Sequence, residues 1–182
     1  MTRIEILKRE DMDEAQGSVY DEAKTGGGPV GGPYLAYIRI PELMRQAQNL
    51  RACLHGGPLS GRERQIINLV VARHWGAKFP WFAQARGSLE VGLDREIIDA
   101  INANDVPQLD NPREQAAYSV ARELLTDRAL SDATYAAAEA SLGLVDLVAA
   151  VASVGQFAMT CCTANAFEID PPADAPIPLA DI

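Results

Sequence analysis

Residues 144–167, LVDLVAAVASVGQFAMTCCTANAF, are apolar on nearly every side, and they leave the chain few choices of fold. A membrane-spanning helix wants about 20 predominantly apolar residues with charge-biased ends. This run holds Asp146, Ser153, Gln156, Thr160, Thr163 and Asn165, and no Lys or Arg flanks it. It therefore reads as a helix buried in a bundle. The remaining apolar residues are largely alanine, and aromatics are only 6%. Both facts favour helices over a β-sandwich. A chain of 182 residues can form one domain with its own core, or a core shared between subunits.

Helix signals recur along the chain. Residues 10–24 start with acids and finish with Lys24, as a helix dipole prefers. Pro41 opens a helix to about 54, with Leu43, Ala47 and Leu50 as its expected core line. Ser60 and Glu63 have capping-box spacing before a helix over 61–75. Further helices are expected over 79–91, 95–103 (capped by Asp94), 112–126 (Asn111 cap, Pro112 first) and 132–141 (Ser131 cap). The class is all-α, an assembly of seven or eight helices in one domain with no strand pattern. TGGGPVGGP at 25–33 lacks the Lys-Ser/Thr ending of a phosphate loop, so it reads as a flexible connector, or as a lid over a pocket. Residues 172–182 are proline-rich and cannot be regular. Their spaced Ile177, Leu179 and Ile182 predict an arm laid on a groove of another subunit.

The net charge is −9, with no run of Lys or Arg, which argues against a nucleic-acid partner and against an anionic membrane. Three cysteines, Cys53, Cys161 and Cys162, do not make a disulfide framework. The N-terminal residues have no apolar signal segment, so a cytoplasmic location is expected. His55 and His74 are the sole histidines, and neither HExxH nor CxxC occurs, so no metal site is expected. HGG at 55–57 resembles an oxyanion loop, but no GxSxG nucleophile accompanies it.

Candidate polar groups lie on three helices. Gln65 and Asn68 share a face of the 61–75 helix. Trp81, Gln84, Ala85 and Ser88 share a stripe of the next one, joined by a tight turn. Gln65 and Gln84 then face one pocket roofed by Trp81, or satisfy one another in a core; both readings stay open. Ser153, Gln156, Thr160 and Thr163 form a third line, beside Cys161 and Asn165, that either bonds neighbouring helices or lines a cavity.

The stretch LSGRERQIINLVVARHWGAKFPWFAQARGSLEVGLDREIIDAI, with GPYLAYIRIPELMRQAQNL before it and TANAFEIDPP after it, is similar to the carboxymuconolactone decarboxylase-like family. That family shares its helical fold with the AhpD alkylhydroperoxidases, and the resemblance spans about residues 33–171. It implies a helical core there, and the proline-rich residues 172–182 read as the arm that follows it. Gln65 stands where the family usually has Glu, and Gln84 where it usually has His. Ala77 and Pro80 stand where AhpD proteins carry their CxxC pair. The resemblance thus implies a cofactor-free lyase or isomerase acting on a small oxygenated catabolite, a lactone or carbonyl-bearing acid. The alternatives are a non-catalytic oligomeric binding or scaffold protein, and a peroxidase using relocated cysteines.

An amide cannot carry a proton in general acid–base catalysis. His74 is therefore the first expected proton carrier, with Tyr34, Tyr37 or a cysteine as substitutes. Gln65 and Gln84 are expected to hold the substrate under Trp81, with Phe79, Asn68, Cys161 and Asn165 nearby. Arg86 or Arg39 is expected to pair a carboxylate. A homo-oligomer (dimer, trimer or hexamer) is expected.

Overall fold

The computed structural model describes residues 2–181, and among these every regular element is a helix. Ile182, part of the expected arm, lies outside the described residues. A 3₁₀ turn at Arg9–Asp11 precedes α1 (Glu14–Thr25), α2 (Tyr34–Tyr37), α3 (Pro41–His55), α4 (Gly61–His74) and α5 (Lys78–Glu90). α6 (Arg95–Asn102), α7 (Pro112–Asp127), α8 (Asp132–Leu142) and α9 (Leu144–Ala166) complete the chain.

The caps explain most boundaries. Ser60 and Glu63 form the expected reciprocal box, and Asn111 and Ser131 accept backbone N–H groups of α7 and α8. Such caps are each worth about 1 kcal/mol. Asp13 forms a second box with Gln16, so the first helix starts there and not at residue 10. Asp94 precedes α6 without a side-chain bond to it. The single turn α2 has no periodic signal long enough to reveal it.

α4 is the central helix. It packs on α5, α6, α7 and α9, and its apolar residues Ile66, Ile67, Leu69 and Val71 are fully buried. A smaller cluster joins Val19, Tyr34, Tyr37, Met44 and Ala47 from α1, α2 and α3.

Two sequence expectations need correction. In α3, Met44 and Ala47 point inward, whereas Leu43 and Leu50 are 39% and 44% exposed. Two leucines outweighed one methionine in the pattern, but Met44 is the residue that meets the tyrosines of α2. In α9, one face is buried through Leu147, Ala150, Val154 and Phe157. The opposite face leaves Leu144, Val145, Val148, Val151 and Met159 in solvent. The helix has the length and composition to cross a membrane, yet it is a half-buried helix of the bundle.

The arm is a third correction. It folds onto its own subunit. Ile177 is buried in the main core, and its carbonyl accepts the Trp81 indole N–H at 3.0 Å. Asn102 donates to Pro178 O and accepts from the Ala180 N–H, while Arg73 donates to Ala180 O and Asp181 O. A buried indole N–H needs an acceptor, and the arm supplies it.

Candidate functional site

A cavity of about 420 Å³ opens between α3, α4, α5 and α9, beneath the glycine-rich segment before α2. Its walls are of two kinds. Phe79, Pro80, Phe157, Pro29 and Pro33 make an apolar side. Gln65, Asn68, Gln84, Arg51, Arg64 and His55 make a polar side.

The amides meet there for local reasons. Residues 65 and 68 are one turn apart on α4, and α5 returns antiparallel after the turn at Gly76, bringing Gln84 opposite. Asn68 donates to Gln84 Oε1 at 3.2 Å. Gln65 is not part of that pair: its Oε1 is shielded from solvent and has no hydrogen-bond partner among the described residues. The Gln65 amide lies against Gly87 of α5, where an added Cβ would be 2.8 Å from Gln65 Nε2 and would displace that side chain. In the glycine-rich segment the buried Gly32 has φ +59°, and a Cβ there would run into the Phe79 ring. Only glycine fits both the backbone and the ring. The segment at 25–33 is thus a wall of the cavity, its Pro29 carbonyl bonded by Gln48.

Several sequence candidates lie elsewhere. Trp81 is fully buried in the core against the arm and does not roof the cavity. An indole midway along a helix of small residues is drawn to the deepest face. His74 is exposed beside Arg73, Tyr118 and Arg122 at a separate cavity of about 160 Å³. Being on the last turn of α4, it points away from Gln65. Arg39 donates to Glu5 O at the surface. The Tyr37 hydroxyl contacts Thr163 Oγ1 at 3.0 Å, which uses it in packing α2 on α9. Asn165 donates to the Trp75 carbonyl. Cys161 is buried and lines no part of the cavity, and burial pushes its thiol above the ordinary range. The third polar line splits: Gln156 and Thr160 reach the cavity, whereas Ser153 bonds Ala149 O within its own helix.

Phe79, Tyr34, Arg86, Asn68, Gln65 and Gln84, all candidates from the sequence, line one cavity together. The reading missed Arg51, His55 and Arg64. Arg51 and His55 are four apart and continue the Met44–Ala47 face of α3, so the correct face would have revealed them.

Residues 41–123, from α3 into α7, match the profile of the Carboxymuconolactone decarboxylase family. The chain carries a carboxymuconolactone decarboxylase-like core. No curated protein matches the chain. Among solved structures, an uncharacterized peroxidase-related protein from Silicibacter sp. TM1040 aligns with TM-score 0.78 and 18% identity, over 96% of this chain and 93% of that one. An uncharacterized peroxidase-related protein from Ralstonia eutropha JMP134, described as an alkylhydroperoxidase AhpD core, aligns with TM-score 0.76 and 16% identity, over 97% of each chain. A protein of unknown function from Agrobacterium tumefaciens aligns with TM-score 0.69 and 16% identity, over 76% of this chain and 96% of that one. At such identities these likenesses establish the fold.

The cavity, lined partly by this carboxymuconolactone decarboxylase-like segment, residues 41–123, and partly by residues 29–34 and α9, is electropositive. Arg51 and Arg64 make no ion pair among the described residues. Arg64 donates to Leu59 O, and its Nε is buried without a partner. Burial, then the charge of Arg51, push the Arg64 guanidinium below its ordinary range. His55 is pushed down to about 4 by partial burial and by the nearby charges of Arg51 and Arg64, so its ring is neutral at pH 7. Burial pushes the Tyr34 phenol up to about 12, outweighing the opposite pull of Arg51, so it remains an O–H donor. Arg86 is the outlying cation, 3.6 Å from Glu90 on the rim. Unpaired guanidinium groups beside amides and an apolar wall suit a small organic anion.

Proposed function

We propose that the carboxymuconolactone decarboxylase-like core binds a small oxygenated carboxylate, a lactone acid or keto acid, and acts on it as a cofactor-free lyase or isomerase. One observation carries the reading: two guanidinium groups without carboxylate partners, Arg51 and Arg64, line a cavity in which the Arg64 Nε–H and the Gln65 amide oxygen have no hydrogen-bond partner among the described residues. A half-buried guanidinium without a carboxylate partner gains from a counter-charge, through charge-assisted hydrogen bonds. The substrate carboxylate supplies that counter-charge. Gln65 then offers its amide N–H to a carbonyl or lactone oxygen, Gln84 is held in place by Asn68, and the Tyr34 hydroxyl is a further donor. Phe79 and Phe157 cover the carbon skeleton.

The test is turnover of a panel of lactone acids and keto acids by purified protein without added metal or thiol, followed by CO₂ release and by chromatography of products. Decarboxylated or rearranged product is expected, with KM raised by Arg51→Gln. No product from any member would overturn the catalytic reading.

A second reading, a binding protein without turnover, is favoured by the amides Gln65 and Gln84 at positions where the resemblance implies an acid and a base. It predicts ligand-induced thermal shifts without product, and new activity when Gln65→Glu and Gln84→His are combined. The outer face of α9, with Val145 72% exposed and Val148 60% exposed, supports association of copies of the chain. Val148→Asp is expected to lower the mass measured by sedimentation. The cysteine-based peroxidase gains no support from placement: Cys53 and Cys162 are exposed, Cys161 is buried, and none lines the cavity.

A further inference from the structure

His55 is an exposed residue at the end of α3, one helical turn beyond Arg51, and it lines the cavity together with Arg64. Its ring makes no hydrogen bond among the described residues, so nothing fixes its protonation state from within the fold. The ionisable groups that share this cavity are Tyr34 from α2, Arg51 from α3, Arg64 from α4, and Arg86 with Glu90 from α5. α9 contributes only the uncharged Gln156, Phe157 and Thr160. Arg86 and Glu90 approach each other at 3.6 Å, which leaves Arg51 and Arg64 as the charges His55 meets.

We propose that His55 is the proton carrier of this cavity, brought to its charged form by the anion that Arg51 and Arg64 hold. The inference rests on the carboxylate-binding reading above and adds to it the residue that moves the proton. In the free protein partial burial, and after it the neighbouring charges of Arg51 and Arg64, oppose a third charge on His55. A bound carboxylate cancels one of them. His55 then takes a proton from solvent.

A decarboxylation consumes that proton. The C–CO₂ bond breaks, and its electron pair passes to the substrate carbon conjugated with the carbonyl held by Gln65. CO₂ leaves as a neutral molecule. The His55 imidazolium gives its proton to that carbon and returns to neutral imidazole. The sum is R–CO₂⁻ + H⁺ → R–H + CO₂, with the proton drawn from solvent once per cycle. Loss of the carboxylate restores the uncompensated guanidinium pair, which again disfavours a charged His55, so the residue is reset as product leaves.

Only two histidines are present, and His74 lies at the separate cavity, so it serves as an internal reference. The experiment is a proton NMR pH titration of both ring Cε1–H signals, in the free protein, with saturating benzoate, and with benzamide, its uncharged near-isostere. His55→Gln assigns the signals. Benzoate is expected to raise the His55 midpoint by roughly one pH unit or more, benzamide to leave it in place, and His74 to move with neither. Arg51→Gln is expected to raise the His55 midpoint with no ligand present. Benzoate binding that leaves the His55 midpoint unmoved overturns this inference while the carboxylate reading stands. Absence of benzoate binding overturns both. An unaltered His55 midpoint in free Arg51→Gln overturns the inference without reference to any ligand.

Discussion

Arg62 and Glu63 are engaged in ion pairs, whereas Arg64 and Gln65, the next two residues of the same helix, are not. Arg62 bonds Glu114 at 2.7 Å, and Arg113 bonds both Glu63 at 2.7 Å and Asp146 at 2.6 Å. This lattice ties α4 to α7 and α9 from the protected side, where Glu63 and Glu114 are almost wholly buried. A short rotation around α4 brings Arg64 and Gln65 to the cavity, where donors and acceptors lack protein partners. The sequence shows similar residue types in both places. What separates structural from functional polarity here is whether the fold completes the hydrogen bonds itself.

Breaking the paired side should have the largest effect. Arg113→Ala leaves Glu63 and Asp146 without their shared cation. With a third of the arginine in solvent, the loss is expected near the low end for such pairs, about 3 kcal/mol. For a chain of this size that lowers the melting temperature by roughly 6–12 °C, read by calorimetry. The pH dependence follows from the same pair. Burial alone would raise the Glu63 carboxyl, but bonds from Arg113 and the Ser60 N–H outweigh it and hold the carboxyl below its ordinary 4.5. A depressed folded value means stability that is fully present above pH 4.5 and is lost as pH falls through the folded value. Glu63→Gln should flatten that acid limb in a melting-temperature profile.

The cavity wall should respond less. Gly32→Ala puts a side chain at positive φ and against the Phe79 ring, for an expected loss of about 2 kcal/mol in denaturant unfolding. Smallest of all should be the stability change for Arg64→Gln, within about 0.5 kcal/mol. Its benzoate affinity should nonetheless fall about 10-fold or more, as loss of a charge-assisted bond implies. A large stability loss in Arg64→Gln would erase the distinction between the two sides of α4.

The helices were legible because caps and turn residues are local signals, and Ser60, Asn111, Pro41 and Pro112 act within a few residues of themselves. The Gln65–Asn68–Gln84 grouping was legible for a related reason: helical spacing and one short turn fix it. Arg51 and His55 were not, because the rotation of α3 is set by Met44 packing on residues of α1 and α2. That is a tertiary choice, and Leu43 and Leu50 argued for the wrong face. Trp81 misled by its chemistry, since an indole suits a ligand wall and a core equally well. The arm was legible as an arm from its prolines and spaced apolar residues. Which molecule it would cover depended on the Trp81 N–H needing an acceptor, a demand that no local pattern expresses.

That bond has a consequence for how the molecule comes into being. Ile177 occupies a place in the main core and meets Trp81 across 96 positions of sequence. Ribosomes deliver chains from the N-terminal side, and domains form as their segments emerge. Ile177 is translated after every helix, so the tryptophan slot is closed by a segment made after all of them, and the bundle's seam stays unfilled until that isoleucine arrives.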